Sequence, residues 1–223
     1  MIAKSSKTLI LSDYDDTLFR TDGFFYEVLD QLSQLGFSEK SAAIQSDVEH
    51  LRRTLGTSAS YDFDGQIGAE TYLRLAETMN ANNSSRIYSD ALRFYNQVAA
   101  DLGIEFQIAT RGPKLWQQLK YSGTIFQSDS VTFDCFNNSN KVDRFIDNIT
   151  IADGGFRYGA EDTIYERLVV IDNDQRYFQG FDKLTKLGVG AVGYLVYRGN
   201  ARFYGCQAIA HVTPVLSFDQ IKL

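Results

Sequence analysis

Two histidines, two cysteines, two prolines and a single tryptophan among 223 residues leave little room for several kinds of chemistry. His50 and His211 are the only imidazoles, which argues against a histidine-based zinc site and against a Ser-His-Asp triad. Cys135 and Cys206 lie far apart with no metal-type spacing, so they read as two free thiols in a reducing compartment. No cluster of Lys and Arg is present and the net charge is −6, which argues against a nucleic-acid partner. The longest uncharged, apolar-rich run, Leu187 to Tyr197, is too short to span a bilayer. Only a short apolar run precedes Asp13, so the sequence predicts no signal peptide and a cytoplasmic protein. Whatever chemistry the chain performs must rest on carboxylates, lysine, hydroxyls and backbone groups.

What is present is an ordinary globular composition, 44% hydrophobic and 22% charged, long enough for one large domain or for a domain with a smaller one inserted. Strand-like apolar runs fall at 8–12, 104–109, 131–136, 168–171, 191–196 and 212–216. From 104 onward they alternate with helical patterns, as in a parallel sheet with crossover helices. Residues 20–102 differ. Phe25, Leu29, Leu32 and Leu35 share one helical face, as do Ile44, Val48, Leu51 and Leu55, then Tyr72, Leu75 and Met79, and finally Ile87, Ala91, Phe94, Val98 and Leu102. One crossover helix would suffice to join two parallel strands, so four imply an inserted helical piece. The expected fold is α/β: a Rossmann-like core over 1–20 and 86–223, with an all-helical subdomain at 21–85 placed to cover the sheet edge. The Gly-containing stretch Thr150 to Thr163 reads as a hairpin or loop.

Polar residues collect where these strands end, which is where open α/β sheets bind ligands. The run Leu9-Ile10-Leu11-Ser12 stops at Asp13 and Asp15, spaced i, i+2, with Thr17 following. Two carboxylates held close together need a cation or a shared proton. The run 104–109 ends at Thr110-Arg111-Gly112-Pro113-Lys114, a hydroxyl and free backbone N–H groups at a strand-to-helix turn, suited to an anion. Thr110 serves equally well as a helix cap. Lys141 stands at the start of a predicted helix, and 168–171 ends at Asp172-Asn173-Asp174. Acids at two strand ends are what a Mg²⁺ site needs, because this hard cation takes oxygen ligands.

Asp13-Tyr14-Asp15-Asp16-Thr17-Leu18 resembles the first motif, DxDxT, of the haloacid dehalogenase-like (HAD) phosphohydrolase superfamily. Thr110, Lys141 and Asp172 with Asn173 and Asp174 are similar to its second, third and fourth motifs, in order and over nearly the whole chain. The helical insertion falls where that superfamily carries its C1-type cap. The resemblance implies a Mg²⁺-dependent phosphatase working through a phosphoaspartate on Asp13, with Asp15 as general acid and then base. It implies that Thr110, Arg111 and Lys141 contact the phosphoryl group or the substrate anion. It further implies that Asp13, the Asp15 carbonyl and Asp172, with Asn173, hold the metal. The expected partner is a phosphorylated small molecule or phosphoprotein, phosphotyrosine included. Asp16, next to the acidic pair, reads as a turn cap.

Two departures stand out. The fourth motif often has a second acid four or five residues after the first, where this chain has Arg176 and Tyr177; Asn173 or Asp174 must fill that place. Thirty residues separate Lys141 from Asp172, and Lys114, just past Thr110, is a rival for the phosphate-site lysine. A receiver-type phospho-acceptor module and an inactive interaction domain are the other classes the residues admit.

Overall fold

A computed structural model of the chain describes residues 7–55, 61–127, 131–136, 141–160, 162–198 and 208–223. Strand β1 (Thr8–Ser12) is followed by α1 (Thr21–Gln34), α2 (Ser38–Leu55), α3 (Phe63–Ile67) and α4 (Ala69–Met79). A 3-10 segment, Asn80–Arg86, leads into α5 (Ser89–Val98). The chain then alternates: β2 (Ile104–Arg111), α6 (Lys114–Tyr121), β3 (Val131–Phe136), α7 (Lys141–Asp147), the hairpin β4 (Ile149–Ala152) and β5 (Gly155–Tyr158), β6 (Arg167–Asp172), α8 (Asp182–Lys186), β7 (Gly190–Val196) and β8 (Val212–Val215).

The main sheet is all parallel, in the order β3-β2-β1-β6-β7-β8. Strand order runs outward from β1 to β3, then restarts on the other side of β1 with β6. That places the topological switch between β1 and β6, where ligands of such sheets bind. Pro214 lies on the edge strand β8, where its missing N–H interrupts no further ladder.

The strands are buried on both faces, and alternation divides their side chains between two apolar layers. Leu9, Leu11, Leu168 and Val170 pack with Phe145 of α7, Phe156 of β5 and Leu184 of α8. Ile10, Ile108, Val169 and Ile171 belong to a second buried cluster that also takes in Phe24, Val28 and Leu32 of α1, Leu75, Phe94 and Val98. Each such buried side chain contributes about 1.5–3 kcal/mol relative to exposure. Within the insertion α1 packs against α2 and α4, and α3 and α4 lie against α6. α1 stops at a turn in which the Phe37 N–H donates to the Leu32 carbonyl at 2.8 Å, with Gly36 at φ 91°.

Two details differ from the sequence-based expectation. The short helix α3, only five residues long, escapes periodicity altogether. Leu102 is 98% exposed, because α5 ends at Val98 and the chain turns before β2, taking Leu102 off the buried face. The stretch from Thr150, expected to be a hairpin or loop, does contain an antiparallel hairpin pairing Ile149–Ala152 with Gly155–Tyr158. Cys206 and the side chain of Cys135 lie outside the described residues, so the free-thiol expectation is not addressed. Among the described residues no helix is long and apolar enough to cross a membrane.

Candidate functional site

The carboxyl ends of β1, β2 and β6 converge. Ser12 pairs with Ile108 on one side and Ile171 on the other, and the Asp13 N–H donates to the Ile171 carbonyl at 2.8 Å. Asp13, the first residue past β1, thus stands beside Asp172, the last residue of β6. Both are buried, at 6% and 2% exposure.

Lys141, the first residue of α7, closes this pair. Its ammonium bonds to Asp13 Oδ1 and, at 2.9 Å, to Asp172 Oδ2. The Thr17 hydroxyl donates to Asp13 Oδ2 at 2.9 Å, and the Asp174 N–H donates to Asp172 Oδ1, also at 2.9 Å. Two carboxylates against one ammonium leave this buried group with one negative charge in excess. Burial accordingly pushes Asp172 up to about 7, against the pull of Lys141. Burial raises Asp13 as well, opposed by Lys141 and aided by the nearby charge of Asp15. The two acids hold Lys141 well above the usual lysine range despite its burial.

Asp15 is treated differently. Its side chain keeps 28% exposure, and its four contacts are all donors. Lys120 and the Thr21 hydroxyl, the latter at 2.5 Å, bond to Oδ1; the Gln117 amide at 2.8 Å and the Thr110 hydroxyl at 3.4 Å bond to Oδ2. Burial alone would raise it, but the Lys120 charge with these hydrogen bonds holds it below the usual carboxylate range. The two neighbouring acids are thus driven in opposite directions, Asp13 upward and Asp15 downward.

The remaining predicted residues spread around this centre. Thr110 is fully buried and reaches Asp15. Arg111, half-buried, extends to the Tyr177 hydroxyl at 3.5 Å, and its Nε is buried without a hydrogen-bond partner. Lys114 is exposed on α6, so of the two rival lysines Lys141 is the one beside Asp13. Asn173 is half-buried past β6. Asp174 is turned to its own chain, capping the short helix after β6 and pairing with Arg176. Asp16 accepts from the Thr21 N–H at 3.0 Å and so caps α1.

Sequence reasoning missed Gln117, Lys120, Thr21 and Tyr177. The Tyr177 ring lies 4.6 Å from the Lys141 ammonium. Gln117 and Lys120, spaced i, i+3 on α6, are 1% and 0% exposed. The only hint in sequence is that spacing, shared with the apolar Trp116 and Leu119, and polar residues on a helix ordinarily read as its solvent face.

The donors available to a cation here are all oxygen: the carboxylates of Asp13 and Asp172, with the Asp15 carbonyl and Asn173 close in sequence. Among the described residues no group of three or more His, Cys, Asp or Glu side chains is gathered to hold a metal. Two carboxylates completed by carbonyl, amide and water suit Mg²⁺, which keeps several waters, and the uncompensated charge around Lys141 favours a cation.

No protein-family model matches the chain, and no curated protein sequence does. Solved structures do. A haloacid dehalogenase-like hydrolase described from Burkholderia xenovorans superposes with TM-score 0.63 at 16% identity, covering 96% of this chain and 94% of that one. The fold is haloacid dehalogenase-like. The HAD hydrolase YfnB from Bacillus subtilis, bound to magnesium, matches at TM-score 0.53 and 11% identity, with 96% of each chain covered. CbbY from Rhodobacter sphaeroides, in complex with phosphate, matches at 0.50 and 13%, with 95% of each covered. Asp13 follows β1, an inner strand of this sheet.

Proposed function

We propose that the chain is a Mg²⁺-dependent phosphomonoester hydrolase acting through a phosphoaspartate on Asp13. One observation carries this reading: Asp13 and Asp172 share Lys141 at the switch point, while Asp15, two residues on, is held by a separate set of donors.

In the first half-reaction an Asp13 carboxylate oxygen attacks phosphorus, and the bond to the leaving oxygen breaks as the new O–P bond forms. Asp15 delivers the proton the departing oxygen requires. In the second half-reaction Asp15 takes a proton from water, which attacks the phosphoaspartate, releases inorganic phosphate and restores Asp13. Lys141 and Thr110 steady the phosphoryl oxygens, and Arg111 with Tyr177 borders the space above Lys141. Mg²⁺, when bound by Asp13, Asp172, the Asp15 carbonyl and Asn173, supplies positive charge that makes the approach of two anions tolerable. The helices between β1 and β2 act as the cap. The substrate is a phosphorylated small molecule or a phosphoprotein.

The test is phosphate release from p-nitrophenyl phosphate, a phosphotyrosine peptide and a panel of small phosphate esters, with Mg²⁺ or with EDTA. Turnover requires Mg²⁺, and Asp13→Asn lowers kcat by about 10³-fold or more. Independently of turnover, Mg²⁺ raises the melting temperature of the native chain and not that of Asp172→Asn. Absence of Mg²⁺-dependent turnover across the panel refutes the hydrolase reading; a stable phosphoaspartate without turnover would point to a receiver-type module.

A further inference from the structure

Helix α6 is held by the inserted helices at both ends. At its start, the Asp64 carboxylate of α3 accepts from the N–H groups of Leu115 at 3.0 Å and Trp116 at 3.2 Å. These are among the donors a helix leaves unsatisfied, so Asp64 caps a helix far from it in sequence. Beyond the other end, the buried Asn83 amide donates to the carbonyls of Leu119 at 2.7 Å and Ser122 at 2.6 Å. Between these clamps the Trp116 ring lies 4.4 Å from Phe63 of α3 and 5.4 Å from Phe24 of α1.

From this clamped helix, Gln117 in its middle and Lys120 in its last turn project onto one target, the Asp15 carboxylate, and each takes a different oxygen. Gln117 is fixed further by its bond to the Arg111 carbonyl at 2.8 Å. The Lys120 ammonium lies 5.3 Å from the Trp116 ring and 5.8 Å from the Tyr14 ring, and the Tyr14 hydroxyl donates to the Lys120 carbonyl at 3.0 Å. A fully buried lysine is costly unless paired, and Asp15 is its ion-pair partner. Both residues therefore have few other positions to occupy, and the carboxylate they grip has its direction set by them.

We propose that Gln117 and Lys120 are positioning residues for Asp15, and that the helical insertion sets their placement by clamping α6 at both ends. This rests on the hydrolase reading above. A group that moves protons works only within hydrogen-bond reach of the reacting oxygen, so a carboxylate free to swing loses part of its contribution. The insertion then does more than cover the sheet edge: its seating reaches Asp15 through α6.

The experiment compares two aryl esters with the native chain, Gln117→Leu, Lys120→Met and Asp64→Ala, all with Mg²⁺. Phenyl phosphate has a poor leaving group that needs a proton, whereas 2,4-dinitrophenyl phosphate leaves without one. The parameter is kcat/KM, which spans the steps through leaving-group departure. Gln117→Leu and Lys120→Met are expected to lose roughly 10- to 100-fold on phenyl phosphate and less than about 3-fold on the dinitrophenyl ester. Asp64→Ala, altered only at the far end of α6, shows the same pattern to a smaller degree and carries the test should the buried substitutions fail to fold. Equal losses on both esters, or no loss on either, overturn the proposal and leave the hydrolase reading intact. No turnover of either ester by the native chain overturns the hydrolase reading, and this proposal with it.

Discussion

Removing Asp90 exposes how the turn after β1 is braced. Asp90, in the first turn of α5, accepts from Arg198 Nη1 with both oxygens, at 2.9 and 2.8 Å, and from the Phe218 N–H at 2.9 Å. The same guanidinium donates through Nη2 to the Thr17 carbonyl at 2.9 Å and lies 4.0 Å from the Tyr88 ring. Side-chain exposure is 8% for Arg198 and 11% for Asp90, so neither charge is solvated. Burial would raise Asp90, yet the Arg198 and Phe218 hydrogen bonds hold it below the usual carboxylate range. Asp90→Ala leaves a buried guanidinium without its counter-charge, held only by the Thr17 carbonyl and the Tyr88 ring, and the Phe218 amide without an acceptor, which costs about 3–5 kcal/mol. For a chain of this size that is a fall of roughly 6–20 °C in melting temperature. Asp90→Asn keeps the acceptor for Phe218 and loses the charge, costing roughly half as much. Because much of the penalty is the stranded cation, the double variant Asp90→Ala/Arg198→Met is more stable than the sum of the single changes predicts. Urea unfolding of the native chain, both Asp90 variants, Arg198→Met and the double variant at pH 7 measures this. A loss below about 1 kcal/mol in Asp90→Ala, or simple additivity in the double variant, would refute the reasoning.

The pH dependence of stability should carry the mark of Asp16, which burial, with the charges of Asp15 and Asp22, pushes up to about 7. Its folded pKa lies above its unfolded one, so the folded state binds the extra proton; its contribution is complete below about pH 4 and is lost as pH rises to about 7. Asp16→Asn keeps an acceptor for the Thr21 N–H and tolerates the φ of 54°, so unfolding curves should show it flatter across this window and about 1–2 kcal/mol more stable at pH 8; a steeper profile would count against it. Gly112 has φ 137°, and a Cβ there would stand 3.0 Å from the Gln117 amide nitrogen. Gly112→Ala should therefore cost about 1–3 kcal/mol and lower activity through Asp15, whereas native-like stability and kcat would show that the turn adapts freely.

What could be read in advance divides along a physical line. The strands were legible because both faces of a parallel sheet are buried, so Leu9-Ile10-Leu11 and Leu168-Val169-Val170-Ile171 appear as unbroken apolar runs. The acids were legible because Asp13 and Asp172 stop two of those runs, and in this fold a residue just past a strand can only lie on the carboxyl edge. Helix periodicity found α1, α2, α4 and most of α5, and failed where a helix is too short to repeat, as at α3, or where a turn takes over, as at Leu102. Gln117 and Lys120 stayed hidden for another reason. Local pattern reports how polar a side chain is, and both are polar residues on a half-exposed helix. Their burial depends on Asp15, over one hundred positions away in sequence, and on the Asp64 and Asn83 clamps that turn α6 toward it. A buried polar residue is recognised by its partner, and partners joined only by tertiary packing leave no period in the chain. The same holds for the choice between Lys114 and Lys141: each begins a helix after a strand, and only the position of α7 over the switch point brings Lys141, and not Lys114, between Asp13 and Asp172.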